Sequence, residues 1–367
     1  MKAISAIASG VILILTGCGA GVDSTVDAVG MAEQANTASA TSATDCAFRG
    51  ELLFDFATFS GNGRTCLTCH SSSTGTVSPA DAAARFQRNP YDPLFRTIDS
   101  DNGTGNAYTR LKAHATIRVV LPLTPRIKLA DPAATKVVLF RGIPTTFNTP
   151  ALDPVLMADG RAPSLTAQAL DAIKSHLQPK SLPTASQLAD IAAYEKTLFT
   201  SGDLEHFAKD HTDVPELPTG DTASEKRGRP FFLANGRCGM CHGGPFLNTE
   251  TSFGFAPGSR FDDVGVSEMN DGNLPVQNFL LTYPEGSYIY PLSDPGRALT
   301  TNNPDDAGLF KIPTLWGIKR TAPYFHDNSA ATLEATVDHY SRFFPLIGLP
   351  GLTVQEQADI VAYMKLL

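Results

Sequence analysis

Four stretches of this chain carry a helical period. Thr184–Leu198, TASQLADIAAYEKTL, and Thr353–Leu367, TVQEQADIVAYMKLL, both place apolar residues at i, i+3 or i+4 and i+7. Each opens on a threonine suited to an N-cap, and eight of their fifteen positions are identical. The third stretch is TLEATVDHYSRF, Thr332 to Phe343. At 100° per residue, Leu333, Val337 and Tyr340 fall at roughly 0°, 40° and −20°, so Tyr340 points inward with the apolar stripe. His339 falls at roughly −120°, on the flank, which predicts a solvated or surface-bonded side chain. The fourth places Leu165, Ala169, Ala172 and His176 at roughly 0°, 40°, −20° and 20°, so His176 shares an apolar face. Pro179 ends that helix near Gln178 and leaves the direction of Gln178 open. A period of two, His114, Thr116 and Arg118 against Ala115, Ile117 and Val119, predicts a short hairpin or edge strand.

The start of the chain has a different pattern. Lys2 precedes an apolar run from Ala3 to Leu15, shorter than the roughly 20 residues a membrane span needs, and the run fits an export signal. It ends in Leu15-Thr-Gly-Cys18, which resembles a lipobox, so Cys18 is expected to carry a lipid anchor; a plain cleaved signal is the alternative. Residues 19–45, rich in Ala, Ser, Thr and Gly, have no period and read as a flexible tether. The 367 residues suggest two domains, at roughly 100–200 residues each. A net charge of −8 argues against a nucleic-acid partner, because phosphate binding needs clustered Lys and Arg.

Cysteine spacing changes the picture most. Cys66-Leu-Thr-Cys69-His70 precedes the first closing helix and Cys238-Gly-Met-Cys241-His242 the second. His70 to Tyr194 is 124 residues and His242 to Tyr363 is 121, so one pattern recurs twice. This predicts domains over 46–214 and 215–367, divided in the Pro/Thr/Asp-rich segment 210–224. CxxCH is the attachment signature of haem c: two thiols form thioethers and the adjacent histidine reaches the iron. Two covalently bound haems are expected, with His70 and His242 as iron ligands, and no other cysteine pair is left to complete a zinc site. Cys46 is expected to be a buried thiol. The sixth position on each iron decides the function: a closed iron passes electrons, and an open one can bind peroxide.

Four segments bring in a family. Arg49–His70, Phe147–Leu152 (FNTPAL), Ala158–Ala169 (ADGRAPSLTAQA) and Phe310–Tyr340 resemble the bacterial di-haem cytochrome c peroxidases and MauG, the methylamine-utilisation enzyme. The resemblance implies a mainly α fold of two cytochrome-c-like haem domains, with a small β insertion (Ser71 to Arg141) in the first. It implies that hydrogen peroxide reacts at the N-terminal haem and that the C-terminal haem is six-coordinate and stores an oxidising equivalent. The sixth ligand, Met in the peroxidases and Tyr in MauG, falls on Tyr340; Met269 or Met364 as ligand, or Tyr340 as a core aromatic, are the alternatives. Asn148, Thr321 and Pro323 match positions that hold calcium in the family. The distal Gln matches Gln168, but the catalytic Glu falls on Gln178, which cannot take up a proton as a carboxylate does. His176 is the candidate replacement. The Trp usual before the DGR is Ala158 here. The only tryptophan is Trp316, read as a packing side chain or, alternatively, an inter-haem relay. His114 is either a surface residue or a distal ligand that would make the protein a carrier. The expected function is a di-haem oxidoreductase on the periplasmic side, taking hydrogen peroxide and a redox partner or substrate protein or organic substrate. The competing reading is an electron-transfer cytochrome with both irons six-coordinate.

Overall fold

The computed structural model describes residues 42–248 and 259–367. Helices longer than one turn are α1 (Ala43–Phe56), α2 (Pro79–Arg88), α3 (Thr109–His114), α4 (Leu165–Ala172), α5 (Ala185–Glu195), α6 (Gly202–Asp210), α7 (Ala223–Gly228), α8 (Leu333–Leu346) and α9 (Val354–Met364). Capping boxes explain several of the starts. Ser42 with Asp45, Thr184 with Gln187, Thr222 with Glu225 and Thr353 with Glu356 each satisfy two amides that the first turn leaves without partners.

Two helix crossings repeat in detail. α1 crosses α5 at Gly50, where a Cβ would lie 1.9 Å from the Asp190 carbonyl oxygen. α7 crosses α9 at Gly228, where a Cβ would lie 2.1 Å from the Asp359 carbonyl oxygen. Only glycine allows backbones this close. Beside each crossing an arginine forks onto an aspartate: Arg49 on Asp190 at 2.9 Å through both Nε and an Nη, and Arg227 on Asp359 at 2.8 Å through both. An aromatic pair closes each, Phe54 with Tyr194 (centroids 5.3 Å apart) and Phe232 with Tyr363 (5.2 Å). The doubled pattern expected from the closing helices is therefore present as doubled packing.

The strands are β1 (Thr116–Pro122), β2 (Ile127–Leu129), β3 (Lys136–Gly142), β4 (Phe261–Asp262), β5 (Gln277–Tyr283), β6 (Gly286–Leu292) and β7 (Phe310–Lys311). β1 and β3 form an antiparallel hairpin, with Thr116 opposite Gly142 and Pro122 opposite Lys136. The expected period of two is thus found, but it begins at Thr116: His114 ends α3, and Ala115, at φ +51°, is the left-handed residue that stops the helix. The β structure is not confined to the insertion, which corrects that expectation. β2, from the first half, pairs with β5 of the second, Ile127 opposite Leu281 and Leu129 opposite Phe279, and β6 completes a three-stranded sheet. Ile127, Val137, Leu139, Phe279, Leu281 and Leu292 form one core there. These apolar side chains are contributed by both halves, so burying them fastens the halves together.

Buried charges cross the same seam. The Arg141 guanidinium, at the end of β3, donates to both Asp294 oxygens at 2.7 and 2.9 Å and to Asp159, which also receives Arg161 at 2.9 Å. The two aspartates hold Arg141 charged well above the ordinary guanidinium range, against the cost of burial, and Arg141 with Arg161 holds Asp159 low. Lys311 Nζ bonds Asp153 at 2.7 Å, and Asn328 Nδ2 donates to the His114 carbonyl at 2.9 Å. Among the described residues no helix is long and apolar enough to cross a membrane. Cys18 lies outside them. Cys46 is buried and disulfide-bonded, which corrects the expectation of a thiol.

Candidate functional site

Each CxxCH sits on a tight turn. Cys66–Thr68 is a single 3₁₀ turn, and the His70 amide donates back to the Cys66 carbonyl at 3.0 Å; the His242 amide does the same to Cys238 at 2.7 Å. His70 Nδ1 donates to the Gly75 carbonyl at 2.8 Å. His242 Nδ1 donates to the Leu247 carbonyl at 3.0 Å and to the Pro313 carbonyl at 3.1 Å. In both, a carbonyl five residues on fixes the tautomer and leaves Nε2 without a protein partner among the described residues, the state an iron-binding imidazole needs. Burial pushes both imidazoles below the ordinary histidine range, which keeps them neutral. Cys66, Cys69, Cys238 and Cys241 are not in disulfides. All four thiols and both histidines stay partly accessible, while desolvation is the largest cause of the shift wherever one is resolved among them. Side chains lining an interior space have this pair of properties, and the residues fit two covalently attached haems.

The repeat extends past the attachment turns. Leu156 bridges Ala162, and Tyr324 bridges Ala330. Between the bridged residues, Met157 (φ +70°) matches Phe325 (φ +66°), and Gly160 (φ +72°) matches Asn328 (φ +58°). The Arg161 amide donates to Asp159, as the Ser329 amide does to Asp327. Two residues after each bridge comes a helix N-cap, Ser164 for α4 and Thr332 for α8. α4 and α8 are therefore equivalent elements, and eight positions past the cap the residue is Ala172 in one and Tyr340 in the other.

Tyr340 faces the second attachment turn. Its neighbours are Phe325 and Phe344, both 6.0 Å away between ring centroids, and its titration responds to Cys238, Cys241 and Asp262. Burial raises the phenol above its ordinary range. No hydrogen bond to its hydroxyl is found among the described residues, so the core-aromatic alternative lacks the partner a buried tyrosine usually finds. Met364 is buried in the core with Val361 and Tyr363, and Met269 ends the single turn Val266–Met269, its sulfur against the backbone at Gly265. His339 corrects an expectation. It is 2% exposed, with Nε2 donating to the Val264 carbonyl at 2.8 Å and Nδ1 3.3 Å from Asp271. The segment around Val264 and Asp271 covers the flank that helical angles alone would leave to solvent.

On the first unit, the helix does not continue at 3.6 residues per turn. Ile173–Leu177 is a π turn, and Gln178, at φ +49°, ends it. A π turn adds a residue to the ladder and re-aims what it carries, and such turns recur at functional sites. It carries His176. That ring has no hydrogen-bond partner among the described residues, and its titration responds to Asp99, Arg64, Arg161 and Asp171; that of His70 responds to His176. Burial is the main cause of its lowered pKa. Gln168, on α4, is half-buried and its side-chain amide has no partner among the described residues. Gln178 is exposed and accepts from Asn62 Nδ2 at 3.1 Å. The structure thus brings His176 toward His70 and puts Gln178 at the surface. His114 responds to Arg110 and Asp327 instead.

Trp316 packs with Leu204, Phe207 and Phe246, and its Nε1 donates to the Pro245 carbonyl at 2.8 Å. Its own carbonyl accepts from Asn148 Nδ2 at 3.0 Å. Asn148 Oδ1 accepts the Thr200 amide at 2.9 Å, and Thr321 Oγ1 donates to the Ile318 carbonyl at 3.3 Å. The Asn148 amide thus ties Thr200 to the Trp316 carbonyl.

Two features escaped sequence reading. Arg141, Asp159 and Asp294 meet across 153 residues of chain, and no local period signals that. Glu195 is 6% exposed with Oε2 unpartnered; the signal was present, since Glu195 faces Met364 in the comparison of the two closing helices.

No family model matches the chain. It is 30% identical over 204 residues to the cytochrome-c peroxidase IdrP1 of Denitromonas iodatirespirans, covering 49% of this chain and 48% of that one. It is 26% identical over 250 residues to the cytochrome c551 peroxidase of Nitrosomonas europaea, covering 61% and 64%. The chain spans about half the length of the first of these relatives. Its fold resembles that of a MauG-like protein associated with microbial copper homeostasis, at 21% identity and a TM-score of 0.54 over 90% of each chain. With its paired attachment turns, the chain is thus similar to bacterial cytochrome c peroxidases in sequence and to a MauG-like protein in fold.

Proposed function

We propose that the chain is a di-haem oxidoreductase that reduces hydrogen peroxide at the haem of His70, with the haem of His242 as electron donor and store. The observation that carries this reading is the pair Ala172 and Tyr340 at equivalent positions of α4 and α8. A phenol is offered to the second haem where a methyl group is offered to the first. Haem, when bound, supplies the electron chemistry and, where a coordination position is open, a place for peroxide oxygen.

His70 and His242, held through Nδ1, would be the iron ligands from the protein's fixed side. Tyr340 would close the second site. His176 is the group best suited to move a proton at the first. Its imidazole is neutral and its ring nitrogens have no protein partner, so it can accept a proton from one peroxide oxygen and return it to the other. Arg64 and Arg161 oppose its charging, and Asp99 favours it. The Gln168 amide can donate a hydrogen bond to the bound oxidant. The reducing equivalents come from a redox partner or from a protein or organic substrate that is oxidised in turn. Export to the periplasmic side rests on the leader read from residues 1–18.

The test is peroxide turnover by the haem-loaded protein, wild type against His176→Leu. A proton-transfer group contributes about 10²–10⁴-fold, so kcat/KM should fall by that factor while haem content is unchanged. Wild-type protein whose haem absorption does not respond to peroxide would favour the electron-transfer cytochrome.

A further inference from the structure

Glu195 ends the closing helix of the first unit, and its side chain is 6% exposed. Oε2 is fully buried without a partner, and no hydrogen bond to either oxygen is found among the described residues. A buried carboxyl without a partner is costly to keep. The second unit shows that the fold does not need it. Its counterpart there is Met364, 5% exposed in a continuous apolar core against which Cys238 packs.

Glu195 lies at the corresponding place in the first unit. The pKa of Cys66 responds to its charge, and Cys66 and Tyr194 pack in one cluster with Phe54. The titratable groups on the elements packed around it can be named. α1 brings Glu51 and Asp55, the attachment turn brings Cys66, and α4 with its π turn brings Asp171, Lys174 and His176. The turn Thr149–Leu152 leads to Asp153, which is paired with Lys311 and Asn248. Tyr194 is its neighbour on α5. None of these forms an ion pair with Glu195, and the nearby charges that act on Tyr194 are carboxylates: Asp55, Glu51 and Glu195 itself. With no added positive charge nearby, burial makes the carboxyl retain its proton.

We propose that Glu195 is a redox-linked proton site of the N-terminal haem. One electron entering at that haem is matched by one proton taken up on Glu195, and loss of the electron releases the proton. The physical reason is charge balance: in a dry site an added positive charge favours the carboxylate, and its removal favours the acid. At the matching position the second unit has Met364, which cannot take up a proton, so this coupling belongs to the first unit. The proposal rests on haem attachment at Cys66 and Cys69 but not on peroxide reactivity.

The experiment is a spectroelectrochemical titration of both haems of the holoprotein at several pH values. In wild type, the N-terminal haem should lose close to 59 mV for each tenfold fall in proton activity, the one-electron limit, over part of the range. In Glu195→Gln that dependence should vanish, and in Glu195→Met, which installs the residue of the second unit, it should vanish too. The C-terminal haem should not change among the three. An equal pH dependence in wild type and in either variant would overturn the proposal. Wild type alone supplies a second reading: the redox-difference infrared spectrum should contain a protonated-carboxyl band, and its absence would overturn the proposal even if neither variant folds. Peroxide turnover, measured separately, can fail without affecting either result.

Discussion

The two haem units are built on one plan and differ at three places. Both have the glycine crossing, the arginine fork, the aromatic pair and an attachment histidine held through Nδ1. They part where a haem would be met: Tyr340 against Ala172, an uninterrupted α8 against a π turn carrying His176, and Met364 against Glu195. The shared features are those that hold a helix pair together. The differing ones alter what is offered to a bound cofactor. The two units thus share one scaffold, and on the proposed reading these differences suit the second to hold an iron closed and the first to leave it open.

The largest expected effect that would break this comparison is on rate. His176→Leu should cost about 10²–10⁴ in peroxide kcat/KM, while Phe344→Leu, at the matching position of α8, should leave turnover within a few-fold; equal losses in the two would remove the asymmetry. Next comes the seam between the halves. Asp294→Asn leaves Arg141 short of a buried partner and should lower the unfolding free energy by about 3–5 kcal/mol, measured by denaturant melts. A smaller effect sharpens what is shared: Gly50→Ala and Gly228→Ala should each cost about 1–3 kcal/mol, by similar amounts, because each Cβ meets the same carbonyl in its own unit.

The smallest is a pH slope. Burial raises Glu195 from an ordinary 4.5 to about 8, so the folded state binds its proton more tightly than the unfolded state. Its contribution to stability is fully present below the unfolded value and is lost as pH rises through the folded one. Between about pH 4.5 and 8, wild-type stability should fall relative to Glu195→Gln, read as a difference in melting temperature across that window. Parallel curves for the two proteins would mean the carboxyl is not buried in solution.

How much of this could be read in advance depended on range. The attachment turns, the closing helices and the inward aim of Tyr340 follow from patterns a few residues long, and the structure places them accordingly. The π turn did not follow, because angles at 3.6 residues per turn assume the ladder they are used to describe. His339 was misplaced for another reason: its helix angle was right for a flank, but Val264 and Asp271, some 70 residues earlier in the chain, cover that flank. The sheet shared by β2 and β5 depends on pairing residues as far apart as Ile127 and Leu281, and three-residue strands carry too little pattern to announce a partner. Glu195 was visible in the aligned closing helices, but its meaning needed its burial.

The account rests most on one iron being open and the other being closed by Tyr340. Electron paramagnetic resonance of the fully oxidised protein tests it directly, in wild type and in Tyr340→Phe. The account predicts one high-spin and one low-spin signal in wild type, with peroxide altering only the high-spin one and Tyr340→Phe altering only the low-spin one. Two low-spin signals in wild type, neither changed by peroxide, would contradict it.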